Sequence, residues 1–330
     1  MTESGSPENN GSEKPRLPSR ALRLLMWIAA IGILGWLFIR IDPEETIAAA
    51  ARLRPALFIA GVIGFSLSTL ILDWLTHYWV LRRFNSPIKT LDVLWARGET
   101  HLLLSLGFLY GQGGMAYAVS RRAKKPLSEV IGSLAFLMFN NLMAMMMFPT
   151  LAVLFFIHQA DAPEFRASPE WRTVLWWLAL SWPLCLGLIF LFAVNRDNPL
   201  RRRLRGGILT AFDRARARDY GLAISLRGIQ VVNWCLFSWI TLRAFEINTI
   251  SLAELFILGP IIALAGVIPT PGRLGTSQGA WVLMFHNLAE PAALLAFSLM
   301  WTVGVNLARW AIGAVFLAIN PRPRKQHEKT

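Results

Sequence analysis

The segment Ile268-Pro269-Thr270-Pro271-Gly272-Arg273-Leu274-Gly275-Thr276-Ser277-Gln278-Gly279 interrupts an apolar stretch that runs from Ile250 to Asn287. Prolines and glycines this dense free backbone N–H and C=O groups that lipid cannot satisfy. Such backbone survives at membrane depth only where protein packs on it or a wet cavity lines it. A second interruption, Gly107-Phe108-Leu109-Tyr110-Gly111-Gln112-Gly113-Gly114-Met115, lies within the apolar stretch Leu91–Val119. Both stretches read as re-entrant hairpins or broken helices.

Around them stand six runs of spanning length: Leu24–Ile39, Pro55–Leu81, Leu127–Ile157, Trp171–Val194, Gly221–Leu242 and Pro291–Ile319. About 20 apolar residues cross a bilayer as a helix. Composition agrees: 55% of the 330 residues are hydrophobic and 16% charged, against about 25% charged in soluble domains. A soluble enzyme, a disulfide scaffold and a secreted domain are thereby excluded. Cys185 and Cys235 both sit inside apolar runs, where a disulfide or metal site is not expected. The fold class is an all-α integral membrane protein with about six transmembrane helices and two re-entrant or broken helices. Residues 1–19 read as a disordered cytoplasmic tail, 20–320 as one polytopic domain, and 321–330 as a basic cytoplasmic tail. Ala48 and Ala50 resemble a signal-cleavage site, but they lie well past a first run that is long for a signal. An uncleaved anchor is expected.

Charge supplies an independent check on re-entrance. With six spans and two stretches that enter and leave on one side, 24 of the 33 Lys+Arg fall on the side of the termini and six on the other, with Arg227, Arg273 and Arg309 inside apolar segments. Basic loops mark the cytoplasmic side, so both termini are expected there, in a bacterial cytoplasmic (inner) membrane. If only the second broken stretch were a full span, the basic C-terminal tail would fall outside, against that bias. The net charge of +13 is accordingly assigned to anionic lipid headgroups, and nucleic acid is not expected as a partner. Arginines alternating with Leu200, Leu204, Ile208, Leu209 and Phe212 suggest an interfacial amphipathic helix.

The same assignment yields an internal repeat. Span, broken stretch and span recur at about 55–157 and 221–319, with the two breaks opening from opposite faces. Inverted repeats interrupted at corresponding places point to a transporter with its site between the repeats near the midplane. Gly111, Gln112, Gly113 and Gly114 in the first break, and Pro271, Gly272, Arg273, Gly275, Ser277 and Gln278 in the second, are candidate substrate contacts. Glycines admit close backbone approach, half-helix N-termini favour anions, and arginine offers a forked cation. Arg309 lies deep in the last span with Asn306 one turn earlier, and Asp73 in the second span is its expected counter-charge, with His77 four residues on. An arginine at that depth faces a cavity or a partner. Arg227, near its span's end, is expected to snorkel. Arg97, Glu99 and His101 form a polar group expected to act as a hinge or headgroup contact. No histidine pair at metal-ligand spacing, nucleophile elbow or P-loop occurs, so no catalysis, metal or cofactor is expected.

The two glycine-rich breaks and their placement resemble the membrane domain of lysylphosphatidylglycerol synthetases and of related stand-alone, flippase-like members, over most of 20–320. The family's first pattern, close to Pro-Gly-x-Gly-Gly-Glu followed by Arg, stands here as Tyr110-Gly111-Gln112-Gly113-Gly114-Met115, with Arg121-Arg122 further on. The second, close to Pro-Gly-Gly-Leu-Gly-x-Arg-Glu, stands here as Pro271-Gly272-Arg273-Leu274-Gly275-Thr276-Ser277-Gln278. Met115 replaces the first Glu and Ser277-Gln278 the Arg-Glu pair, so the backbone cradle is kept while its charge is neutralised. What lies outside the spans and breaks is mostly short loops, without the soluble aminoacyl-transferase domain of full-length synthetases, and synthase activity is not expected. The resemblance implies movement of a phospholipid or a polyprenyl- or hopanoid-type lipid between leaflets by alternating access. The alternative is a non-transporting scaffold or accessory subunit of a lipid-modifying enzyme. Expected partners are membrane lipids, with a homo-oligomer or a lipid-modifying enzyme on the protein side.

Overall fold

The computed structural model of the chain describes residues 20–85, 87–156, 169–189, 209–265 and 274–319. Among them are twelve α-helices and no strand: α1 (Arg20–Arg40), α2 (Pro43–Ala51), α3 (Pro55–Asn85), α4 (Thr90–Thr100), α5 (Phe108–Ala123), α6 (Leu127–Phe156), α7 (Pro169–Ile189), α8 (Thr210–Arg214), α9 (Ala217–Ala244), α10 (Leu252–Ala265), α11 (Thr276–Phe285) and α12 (Pro291–Ile319). A 3-10 turn, His101–Ser105, joins α4 to α5. Helices α1, α3, α6, α7, α9 and α12 each have 21 residues or more, and coincide with the six expected runs. Of these, α3, α6 and α12 are long and apolar enough to cross a bilayer by length and composition. The two tails lie outside the described residues.

Helices α3 and α9 pack antiparallel along their whole length. At one end the Arg54 N–H donates to the Ala244 carbonyl at 2.8 Å, and Arg54 pairs with Glu246 at 3.0 Å. Further along, a Cβ on Gly61 would meet the Thr241 methyl at 2.4 Å, and one on Gly64 the Phe237 ring at 2.5 Å. Glycine at these two places lets the backbones approach, the usual device where no hydrophobic effect drives helices together in lipid. Next, Asn233 Nδ2 donates to Thr69 Oγ1 at 3.2 Å. At the far end Arg83 grips Asp219 through Nε and Nη2 at 3.0 and 3.1 Å. From Arg54 to Arg83 the axis runs about 43 Å at 1.5 Å per residue, close to the roughly 40–45 Å of a bilayer with its headgroups.

The main core lies on the side of α10, α11 and α12. Trp281 of α11 is 1% exposed, stacks on Trp234 of α9 and on Phe285, and meets Phe297 of α12 edge-on with centroids 4.8 Å apart. Phe297 in turn stacks on Trp301, which lies 5.0 Å from Phe65 of α3. Each such pair adds about 0.5–1.5 kcal/mol beyond its buried area. A smaller core, with Phe136 and Phe139 of α6, receives Phe212 of α8. Of the expected interfacial helix, only this buried end falls on described residues.

The short helix α2 has no counterpart among the six runs. Asp42 caps it by accepting from the Glu44 N–H at 2.8 Å, Pro43 occupies its first turn, and Glu44 and Glu45 face the positive end of its dipole. These are ordinary start signals, hidden because they follow directly on an apolar run. α2 packs against α12.

Candidate functional site

The first interruption is shorter than its glycines suggest. Only Gly107, at φ 145°, breaks the helix; Gly111, Gly113 and Gly114 continue α5. A Cβ on Gly111 would meet Leu104 at 2.3 Å and one on Gly114 would meet Leu103 at 2.4 Å. These two glycines hold α5 against the 3-10 turn, whereas Gly113 has open space beside it. α12 closes on the same turn. Trp310 Nε1 donates to Ser105 Oγ at 2.6 Å, Gly313 lies against Leu102, and Gly98 of α4 lies under the Phe316 ring.

This packing gathers a set of charges inside the helices. Asp73 of α3 bonds Arg97 of α4 through Oδ2. Its Oδ1 accepts from Arg227 Nη1 at 3.1 Å and from Gln230 Nε2 at 2.7 Å, both on α9; Arg227 also bonds Gln230. His77, one turn along α3, donates Nδ1–H to the Asp73 backbone carbonyl at 2.6 Å, and its Nε2 faces the Gln112 side-chain amide of α5 at 3.4 Å. All of these but Gln230 are buried. Asp73 lies about 15 Å along the axis from Arg83 and about 28 Å from Arg54 at 1.5 Å per residue, well inside the apolar slab.

Two expectations are corrected here. Arg227 does not snorkel; α3 offers a carboxylate level with it, and it is 7% exposed. Nor is Asp73 the counter-charge of Arg309, because both its oxygens are taken by Arg97, Arg227 and Gln230. Arg309, also buried, donates to Asn306 Oδ1 at 3.3 Å, the residue one turn earlier, and its charge reaches His101, as do those of Arg97 and Asp73. The site was half visible in the sequence through Asp73, His77, Gln112, Asn306 and Arg309. Gln230 was missed, and Arg97 was read only as a hinge or headgroup contact. An arginine and a glutamine three residues apart in an apolar run, Arg227 and Gln230, were the available signal, since one helical face must then find polar partners.

The balance of donors is uneven. Arg97 is 2% exposed, and among the described residues its Nε and Nη1 meet no acceptor; Arg227 Nε is in the same condition, and His101 Nδ1 has no partner there. A buried donor left unmet costs about 1–3 kcal/mol, more when charged. Two guanidinium groups thus share one carboxylate at a depth where even a paired charge is costly.

The second interruption is arranged otherwise. Pro271, Gly272 and Arg273 lie outside the described residues. Gly275 does face a close neighbour: at φ 88° it lies against α1, where a Cβ would come within 2.7 Å of the Ala30 carbonyl. Gln278 is fully buried; its Oε1 accepts from the Gly275 N–H at 2.7 Å and its Nε2 donates to Thr302 Oγ1 at 3.1 Å. Gln278 thereby ties α11 to α12, and Ser277 beside it is half-buried. Met115 is fully buried in an apolar cluster with Val93, Val119 and Val130. Among the described residues no group of three His, Cys, Asp or Glu could hold a metal.

Comparison with known proteins gives one finding. The profile of the family described as "Lysylphosphatidylglycerol synthase TM region" matches residues 22–313. No curated protein matches the chain.

Proposed function

The chain belongs to the lysylphosphatidylglycerol synthase transmembrane-region family, and from that premise we propose that it moves a lipid between leaflets, with the headgroup held at the Asp73 cluster and the acyl chains left in the bilayer. One observation carries this reading. Two buried arginines, from α4 and α9, share one carboxylate of α3 and keep unmet donors. Such a centre suits an anionic headgroup in a dry site. Its elements come from both stretches of the inverted repeat read at about 55–157 and 221–319, which is where alternating access would expose a site to either face. The chain acts as a carrier without chemistry of its own, in a bacterial inner membrane with both termini cytoplasmic. The fully buried, neutral Met115 and Gln278 support a second reading, a non-transporting accessory subunit of a lipid-modifying enzyme.

Leaflet exchange of headgroup-labelled lipids in proteoliposomes separates the two. For a carrier, the full chain exchanges phospholipid or polyprenyl-phosphate probes well above protein-free liposomes, and Arg227→Ala removes most of the gain. Exchange at background with every probe leaves the accessory role.

A further inference from the structure

The charges at the cluster go further than its location and restrict the ligand. Among the described acidic residues only Asp73 and Asp219 are buried. Asp219 is engaged by Arg83 at the rim, and Asp73 already serves Arg97, Arg227 and Gln230. Among the described residues the interior therefore offers no further buried carboxylate to an incoming ammonium group. It offers the opposite: one positive charge in excess over Asp73, unmet N–H donors on Arg97 and Arg227, and the charge of Arg309 acting across His101. A phosphodiester carries one negative charge and unhindered acceptor oxygens, which matches both the charge and the donors.

We infer that the Asp73–Arg97–Arg227 cluster recognises the phosphate monoanion of a ligand without a cationic headgroup, and discriminates against aminoacylated lipids. A lysyl ester would bring two ammonium groups to a centre that is already positive, and like charges at low dielectric repel strongly. This rests on the lipid-handling reading for the source of the phosphate, while the charge preference rests on the cluster alone. Arg97 carries the recognition, since it has the deeper burial and two unmet donors. Arg227 is shared with Gln230.

The test uses the full chain in phosphatidylcholine nanodiscs doped with dioleoyl-phosphatidylglycerol or with lysyl-phosphatidylglycerol. Lipid retained after extraction is counted by native mass spectrometry. Phosphatidylglycerol is expected to be retained at least tenfold over its lysyl ester, and Arg97→Gln to bring retention down to that of phosphatidylcholine. Should Arg97→Gln fail to fold, the ratio between the two lipids on the unaltered chain decides alone. Adding inorganic phosphate at millimolar concentration separates the sources. Displacement of the lipid means that the phosphate group suffices; no displacement means that the glycerol-linked diester is required. Equal retention of the two lipids, or a preference for the lysyl ester, overturns the inference, and leaves the carrier reading intact if leaflet exchange is still seen. Selective retention without exchange does the reverse.

Discussion

The two sides of the α3–α9 pair are built on opposite principles. Facing α4, α5 and the 3-10 turn, the interior holds Asp73, His77, Arg97, His101, Gln112 and Arg227, with more charge than it can pair internally. Facing α10, α11 and α12, it holds Trp234, Trp281, Phe285, Phe297 and Trp301 in mutual ring contact, and its buried amide, Gln278, is fully bonded. Interior packing of the second kind is close-packed and resists deformation. An over-charged interior of the first kind is stabilised by anything that supplies the missing acceptor. One side is packed as a frame and the other is the receptor of the proposal above, although in sequence both appear as glycine-broken apolar stretches.

The comparison can be broken by substitution, and the largest effects come from its two centres. Asp73→Ala leaves two arginines unpaired and is expected to cost about 3–5 kcal/mol, seen as a fall in thermal unfolding temperature in detergent. Trp281→Ala is expected to cost a similar amount, about 3–5 kcal/mol, but an added anionic phospholipid should rescue Asp73→Ala more than it rescues Trp281→Ala. Equal rescue would mean that the charged side is a frame too. Gly275→Ala meets both an unfavourable φ and the Ala30 carbonyl, and is expected to cost about 1–3 kcal/mol by the same assay. Gln278→Leu, which leaves the Gly275 N–H without its acceptor, falls in the same range of about 1–3 kcal/mol and should leave lipid selectivity unchanged. The smallest effect belongs to the exposed Arg54–Glu246 pair: Arg54→Ala is expected to change stability by less than about 1 kcal/mol, and that remnant should vanish in high salt.

Much of the frame was legible in the sequence. Pro291–Ile319 and Leu127–Ile157 are read from length and apolarity nearly to the residue, because a bilayer demands about 20 such residues and proline marks a helix start. The partners inside were harder. Arg227 lies close to a span end when counted along its own chain, so snorkelling looked cheap; what holds it inside is Asp73 of α3, level with it across the helix pair, which one-dimensional spacing does not contain. Asp73 was recognised as a buried counter-charge but given to Arg309, since nothing in the order of residues ranks one intramembrane arginine above another. The glycines were read as ligand contacts, yet Gly111 and Gly114 are filled by Leu104 and Leu103. Composition cannot tell a glycine that admits a ligand from one that admits a leucine.

The antiparallel pair has a mechanical consequence. It is clamped at Arg54–Ala244 and at Arg83–Asp219 and keyed between by Gly61 and Gly64, so α3 and α9 cannot slide past each other without unmaking both ends at once. They behave as an axle. In the carrier proposed above, the swing is then assigned to what hangs on the axle, the α4–α5 hairpin with its turn of five residues at His101–Ser105, with Gly107 at φ 145° as its hinge point.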